Sequence, residues 1–205
     1  VFAGYVAGQM GLPIGKLIVA TNENDILHRA LTTGDYSTKT VKPTITPSMD
    51  IQVSSNFERL LYDLSGGDGH QIARLMEEFS KTNRLDLPED WRKGARRYFT
   101  SHAVDQSATQ ETMAWAHEKA DVIIDPHSAV GLAAARGLAD QIDGPIVTLA
   151  TAHPAKFRDA VERATGIRPS LPHFVGDLFS RDERLVELPC DYQQVRDYIS
   201  KAMSL

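Results

Sequence analysis

Three short runs set hydrogen-bonding side chains directly behind apolar stretches: Thr21-Asn22-Glu23-Asn24, Asp125-Pro126-His127-Ser128 and Thr151-Ala152-His153-Pro154. In an open α/β sheet such positions are the carboxyl ends of strands. The helix that follows there aims its first amides and its positive dipole at an anion or a polar ring. The third run is the most informative, because Thr151 follows a largely apolar segment, Pro154 suits the first turn of a helix, and Lys156 and Phe157 come next. From the pattern, Thr151 is either a ligand contact or a simple helix cap. His127 and His153 are the two histidines that stand at strand ends, and capping or packing explains each more readily than a site role does. Asp125, before Pro126, reads mainly as a turn residue.

Other chemistries lack their residues. There is no GxGxxG, no Walker loop, no GxSxG, no HExxH and no pair of cysteines, so the common nucleotide, hydrolase and zinc readings have no support. With 22 basic against 27 acidic residues the net charge is −5, which argues against a phosphate-backbone binder and hence against nucleic acid. The longest uncharged apolar stretch in the middle of the chain, Ala129 to Ala135, is far short of the roughly 20 residues that cross a bilayer, so no membrane anchor is expected. Cys190 is the single cysteine, so no internal disulfide forms and a reducing cytoplasm is expected. The chain starts at Val1 without Met and runs at once into Phe2, Ala3, Tyr5, Val6 and Met10 at helical spacing, which leads us to expect a fragment.

The elements that must carry these runs alternate in type. A first helix ends near Gly11, Lys16 to Ala20 is a strand buried on both faces, and a helix carries Ile26, Leu27, Ala30 and Leu31 behind Asn22 or Asn24 as cap. A Thr- and Pro-rich loop from Gly34 to Ser48 has the length of a lid or a domain crossing. Met49, Ile51 and Val53 alternate as in a strand or extended segment. Ser55 and Glu58 form a capping box into a helix of Phe57, Leu60, Leu61 and Leu64, and Asp68 with Gln71 starts the next, through Phe79. Arg92, Lys93, Arg96 and Arg97 read as a solvated helix face. Further on, Ser107 and Gln110 cap a helix, Val122 to Ile124 is a strand, Ser128 opens an Ala-rich helix, and Pro145 to Ala150 is another strand. The next helix ends at Gly166. Strand, helix, strand, helix predicts an α/β fold, a parallel sheet flanked by helices. An edge strand at Leu185 to Leu188 and a terminal helix started by Asp191 and Gln194 complete the chain.

Five runs then resemble one family in order along almost the whole chain. Phe2 to Ala7, Leu17 to Leu27, Ser48 to Arg59, Asp125 to Gly131 and Thr151 to Phe157 are similar to threonine synthase of the bacterial and fungal type. The family consists of fold type II pyridoxal 5'-phosphate enzymes that convert O-phospho-L-homoserine and water to L-threonine and phosphate. The resemblance implies the C-terminal part of the large, cofactor-binding domain across residues 1–205, with a helical insertion at about 54–118 and an appended α/β element at about 167–205. It implies that Thr151 is the hydroxyl partner of the cofactor's pyridine nitrogen, with His153 and Lys156 bordering the cofactor. Asn22, Asn24, Ser55 and Asn56 would line the substrate side, although capping explains them nearly as well. No lysine here matches the family's Schiff-base lysine, which would lie upstream of Val1, as would the Gly-Asn-Phe-Gly phosphate loop. Alone, such a chain is expected to be inactive and not to retain the cofactor, its natural partner being the N-terminal part of the same polypeptide. Two other readings stay open: a non-catalytic α/β module that binds a small anion or a partner protein, and another fold type II amino-acid lyase.

Overall fold

A computed structural model describes residues 2–203; Val1, where the chain's abrupt start was noted, lies outside them, as do Ser204 and Leu205. The first helix, α1 (Phe2–Gln9), stops before Gly11 as the sequence predicts. Then comes β1 (Leu17–Thr21), whose alternating side chains serve two cores: Val19 is buried with the helical cluster on one side, while Ile18 and Ala20 pack on the other. A strand covered on both faces is what an unbroken Leu-Ile-Val-Ala run dictates. The helix α2 (Ile26–Thr32) follows.

The loop expected from Gly34 to Ser48 is not wholly irregular. It opens with β2 (Asp35–Ser37), a three-residue strand with buried Tyr36 at its centre, and ends in a 3-10 turn at Pro47–Met49. Strands this short are too brief for alternation to reveal. The alternation of Met49, Ile51 and Val53 is not a strand: Met49 closes the 3-10 turn, and Ile51 and Val53 face solvent. Next are α3 (Phe57–Leu64), α4 (Gly69–Thr82), β3 (Arg84–Asp86) and α5 (Glu89–Arg96). The cap of α3 is Asn56 without a side-chain bond, so the Ser55/Glu58 box does not form, whereas Asp68 does cap α4 by accepting from the Gln71 amide at 2.9 Å. Asn83 ends α4 in the left-handed conformation at φ 55°, and β3 pairs antiparallel with β2.

The strand that pairs with β1 has little apolar signal. It is β4 (Phe99–Ala103), parallel to β1 with Leu17 opposite Phe99 and Thr21 opposite Ala103. The basic cluster is not merely solvated: Arg92 and Arg96 reach the carbonyls of Thr33 and Thr32 at the end of α2, and Lys16 holds those of Arg96 and Arg97. Cations at helix C-termini satisfy free carbonyls and complement the dipole.

Beyond β4, α6 (Gln106–Ala120) is capped by Asp105, two residues ahead of the Ser107 start expected. The helix α7 (Pro126–Leu138) starts at Pro126 with Asp125 as cap, so Ser128 lies in its first turn. The predicted strands at Val122–Ile124 and Pro145–Ala150 enter no ladder among the described residues, because no neighbouring strand there offers them a row of amides. Segment 146–150 nevertheless lies against α7: Ile146 and Thr148 are half-buried, Val147 and Leu149 are exposed, and a Cβ on Gly131 would meet the Thr148 methyl at 3.3 Å. A 3-10 turn at Pro154–Phe157 leads into α8 (Arg158–Thr165), which ends at left-handed Gly166 as the sequence predicts.

Residues up to Ser170 form one compact unit and Leu171 onward a second. The second holds two 3-10 turns, an Arg181–Asp177 ion pair and α9 (Tyr192–Met203), where the Asp191 carboxylate accepts from the Gln194 amide. The expected edge strand at Leu185–Leu188 is absent among its described residues; without a partner its apolar side chains stand exposed. No described helix is long and apolar enough to cross a membrane. The chain is thus an α/β protein, with the parallel pair β1/β4 between helices.

Candidate functional site

The three polar turns chosen from the sequence are linked by one run of hydrogen bonds and chain segments. Its anchor is Asp125, which is fully buried at the N-terminus of α7. Its carboxylate accepts from the amides of His127 (2.9 Å) and Ser128 (3.1 Å), from His127 Nδ1 (3.0 Å) and from the Ser128 hydroxyl in a short contact. Four donors and the helix dipole compensate a charge that would be very costly to bury bare. By its place before Pro126 this residue reads as a turn former, and the structure makes it a buried helix cap. The Asp-Pro start of a helix was the available signal for a cap.

From Asp125 the network runs two ways. Toward the loop, His127 Nε2 accepts from the Ser48 amide at 3.2 Å. An amide can only donate, so the ring proton sits on Nδ1 and is given to Asp125. The same ring lies 4.5 Å from that of Phe157. Toward Thr151, an exposed residue, Ser128 Oγ accepts the Thr151 amide at 2.9 Å and sits 3.3 Å from the Thr151 hydroxyl. His153 and Lys156 follow on the same turn. His153 caps it, its Nδ1 accepting from the Ala155 amide at 3.1 Å, and the exposed Lys156 amine lies 5.6 Å from the centre of the Phe157 ring.

Asn22 and Asn24 are brought into the same frame but point into the loop. The Asn22 amide nitrogen lies within hydrogen-bonding distance of Thr44 (3.0 Å), Thr46 (2.9 Å) and Asp50 (2.7 Å), its two protons shared among three acceptors, and its oxygen accepts the Asn24 amide. Asn24 exchanges bonds with the main chain of Lys42 and also reaches Asp50 and Gln52. Both asparagines are buried. The loop residues Thr44, Thr46, Asp50 and Gln52 were missed, since nothing in an irregular segment marks which polar side chains turn inward. Beside Asn22, the buried Thr21 hydroxyl has no hydrogen-bond partner among the described residues.

Ser55 and Asn56 are exposed, and no described hydrogen bond joins them to the Thr151 network. Asn56 accepts from Arg59 at 2.6 Å and borders a cavity of about 380 Å³ lined also by Phe2, Val19, Leu27 and Phe99. No described cluster of three or more His, Cys, Asp or Glu could hold a metal ion.

The donor set at Thr151 suits a heteroaromatic ring nitrogen such as that of pyridoxal 5'-phosphate. An exposed residue with a neutral hydroxyl stands at the end of the segment, while the carboxylate behind it is sealed under four donors. A ring docked there meets an alcohol rather than an acid.

Comparison with known proteins finds one family. The family model described as threonine synthase, C-terminal, matches residues 128–199. The chain is 46% identical to threonine synthase of Pseudomonas aeruginosa over 98% of its own length and 43% of that protein. It is 39% identical to that of Corynebacterium glutamicum over 98% and 43%. The crystal structure of threonine synthase from Brucella melitensis with bound PLP superposes with a TM-score of 0.87 at 42% identity, covering 98% of this chain and 43% of that one. The yeast threonine synthase structure gives a TM-score of 0.86 at 36% identity, over 99% and 45%. The chain thus spans less than half the length of the relatives it matches.

Proposed function

The chain belongs to the threonine synthase family, matching its C-terminal part, and we propose that it forms the ring-nitrogen side of a pyridoxal 5'-phosphate site. The reaction is the conversion of O-phospho-L-homoserine and water to L-threonine and inorganic phosphate. The single observation that carries this reading is the hydroxyl-bearing, exposed Thr151, held by its amide on Ser128 in front of a buried, fully bonded Asp125.

The cofactor, when bound, supplies an electron sink for the substrate's α- and β-carbon chemistry. This chain's residues hold and tune it. Thr151 offers the ring nitrogen a hydrogen bond without a full proton, so the sink is weaker than one facing an aspartate. His153 and Lys156, on the same turn, would border the cofactor, with Lys156 adding positive charge. Asn22 and Asn24 serve the substrate side by fixing loop 39–52 rather than by direct contact, because their amide groups are taken up within the loop. Ser55 and Asn56 are exposed and would line the substrate side. In this reading residues 54–118 are an insertion, 167–205 an appended element, and the compartment is the cytoplasm. None of this chain's lysines takes the covalent cofactor position, so turnover requires a lysine from the remainder of the family's fold.

The test is a chimera in which this chain replaces the matching segment of the Pseudomonas aeruginosa enzyme. It should release phosphate from O-phospho-L-homoserine, and Thr151→Val should lower kcat by about tenfold or more with little change in folding. This chain alone with the cofactor should give no phosphate. A folded, cofactor-loaded chimera that releases none would overturn the proposal, as would turnover by the chain alone.

A further inference from the structure

The Ser128 hydroxyl has one proton and two lone pairs, and the structure accounts for all three. The proton goes to Asp125 Oδ1, because a carboxylate only accepts. One lone pair takes the Thr151 amide at 2.9 Å, and the other faces the Thr151 hydroxyl at 3.3 Å. Since Ser128 has no second proton, the donor of that last contact is Thr151. At 3.3 Å it is longer than an ordinary hydroxyl hydrogen bond, so the Thr151 proton is loosely held while its main chain is firmly held.

We infer that Ser128, oriented by Asp125, is a positioning residue that pins Thr151 by its amide and leaves the Thr151 hydroxyl proton as the one mobile proton of the pair. Asp125 fixes the polarity of the arrangement. If its carboxylate did not take the Ser128 proton, Ser128 could donate to Thr151 and the two hydroxyls could exchange roles. With the carboxylate in place, a ring nitrogen arriving at Thr151 meets a hydroxyl whose position is set from behind and whose proton is free to turn outward. The buried carboxylate itself never reaches the ring. This inference rests on the proposed contact between Thr151 and the cofactor nitrogen, but its first half concerns this chain alone.

The experiment therefore has two arms. In this chain, Ser128→Ala should speed hydrogen exchange at the Thr151 amide by about tenfold, and Ser128→Thr, which keeps the hydroxyl, should restore protection. The amide of His127, held by Asp125, serves as the internal control for folding. In the cofactor-loaded enzyme, the absorption maximum of the bound cofactor should shift in Ser128→Ala as it does in Thr151→Val, and return in Ser128→Thr. Unchanged exchange at Thr151 in Ser128→Ala would overturn the inference outright. Faster exchange with an unshifted cofactor spectrum, while Thr151→Val does shift it, would make Ser128 a plain anchor and overturn the positioning role while leaving the proposed function intact. No shift in Thr151→Val would remove the cofactor contact itself, and the inference with it.

Discussion

The turn after β1 and the turn after segment 146–150 start from the same sequence device, an apolar run followed by a hydroxyl or amide side chain, and reach opposite ends. Behind β1, Asn22 and Asn24 are buried and bonded to Thr44, Thr46, Lys42 and Asp50, so their polarity is turned inward to hold a loop. Behind segment 146–150, Thr151 is exposed and held through its amide, so its polarity is turned outward. Polar residues with every group taken up hold structure in place. A polar residue held from behind with its face open is available to a ligand. Four changes would break or sharpen this contrast.

The largest effect should come from Asp125→Ala, which leaves two amides, an imidazole and a hydroxyl without their acceptor in a fully buried place. A loss of roughly 2–4 kcal/mol in denaturant unfolding is expected. A loss under about 0.5 kcal/mol would mean that the network is not a foundation of the site. Next, Asn22→Ala should cost roughly 1–3 kcal/mol and should deprotect the amides of Lys42 and Thr44, which depend on the asparagine frame, while Thr151 exchange stays as it was. Coupled loosening at Thr151 would show that the two turns are not separate in kind.

A smaller effect concerns acid. Burial works against charge at Asp25, but hydrogen bonding from Arg29 and the nearby Lys39 outweigh it, so its pKa is held below the ordinary 3.8. At Asp35 burial is likewise outweighed, by the Ser37 hydroxyl and then by Arg29 at 2.5 Å. Both folded values are depressed, so their contribution is fully present above the unfolded value and is lost as pH falls through the lower folded ones. The urea midpoint should therefore fall as the pH drops below about 4, and less steeply in Arg29→Gln. Equal slopes in the two proteins would assign the acid sensitivity elsewhere. The smallest change in stability, under about 1 kcal/mol, is expected for Thr151→Val, because the amide bond to Ser128 survives and the residue is exposed. A larger loss would make Thr151 a structural residue like Asn22.

Much of this was legible in the residues, and what was not has physical causes. Helices with full apolar faces and sharp ends, such as α4 between Asp68 and Asn83 or α8 before Gly166, declare themselves because period and cap agree. The strand β1 is equally plain, being apolar throughout, but its partner β4 reads Phe-Thr-Ser-His-Ala and carries no such run. Pairing there is decided by β1 and by the helices around it, so local preference says little. The opposite error occurred at Val122–Ile124 and Pro145–Ala150, where the composition suits a strand but no ladder forms among the described residues. At the site, position along the chain singled out Thr151, His153 and Lys156. The roles of Asp125 and Ser128 were hidden, because a cap and a support for another residue's hydroxyl use the same residue types.

The claim on which the rest depends is that the Thr151 hydroxyl meets the ring nitrogen of pyridoxal 5'-phosphate. A crystal structure of the cofactor-loaded enzyme containing this sequence tests it most directly. We expect Thr151 Oγ1 within about 2.7–3.2 Å of that nitrogen, with Ser128 still accepting the Thr151 amide. A carboxylate or water in that position, with the threonine hydroxyl out of bonding range, would contradict the account.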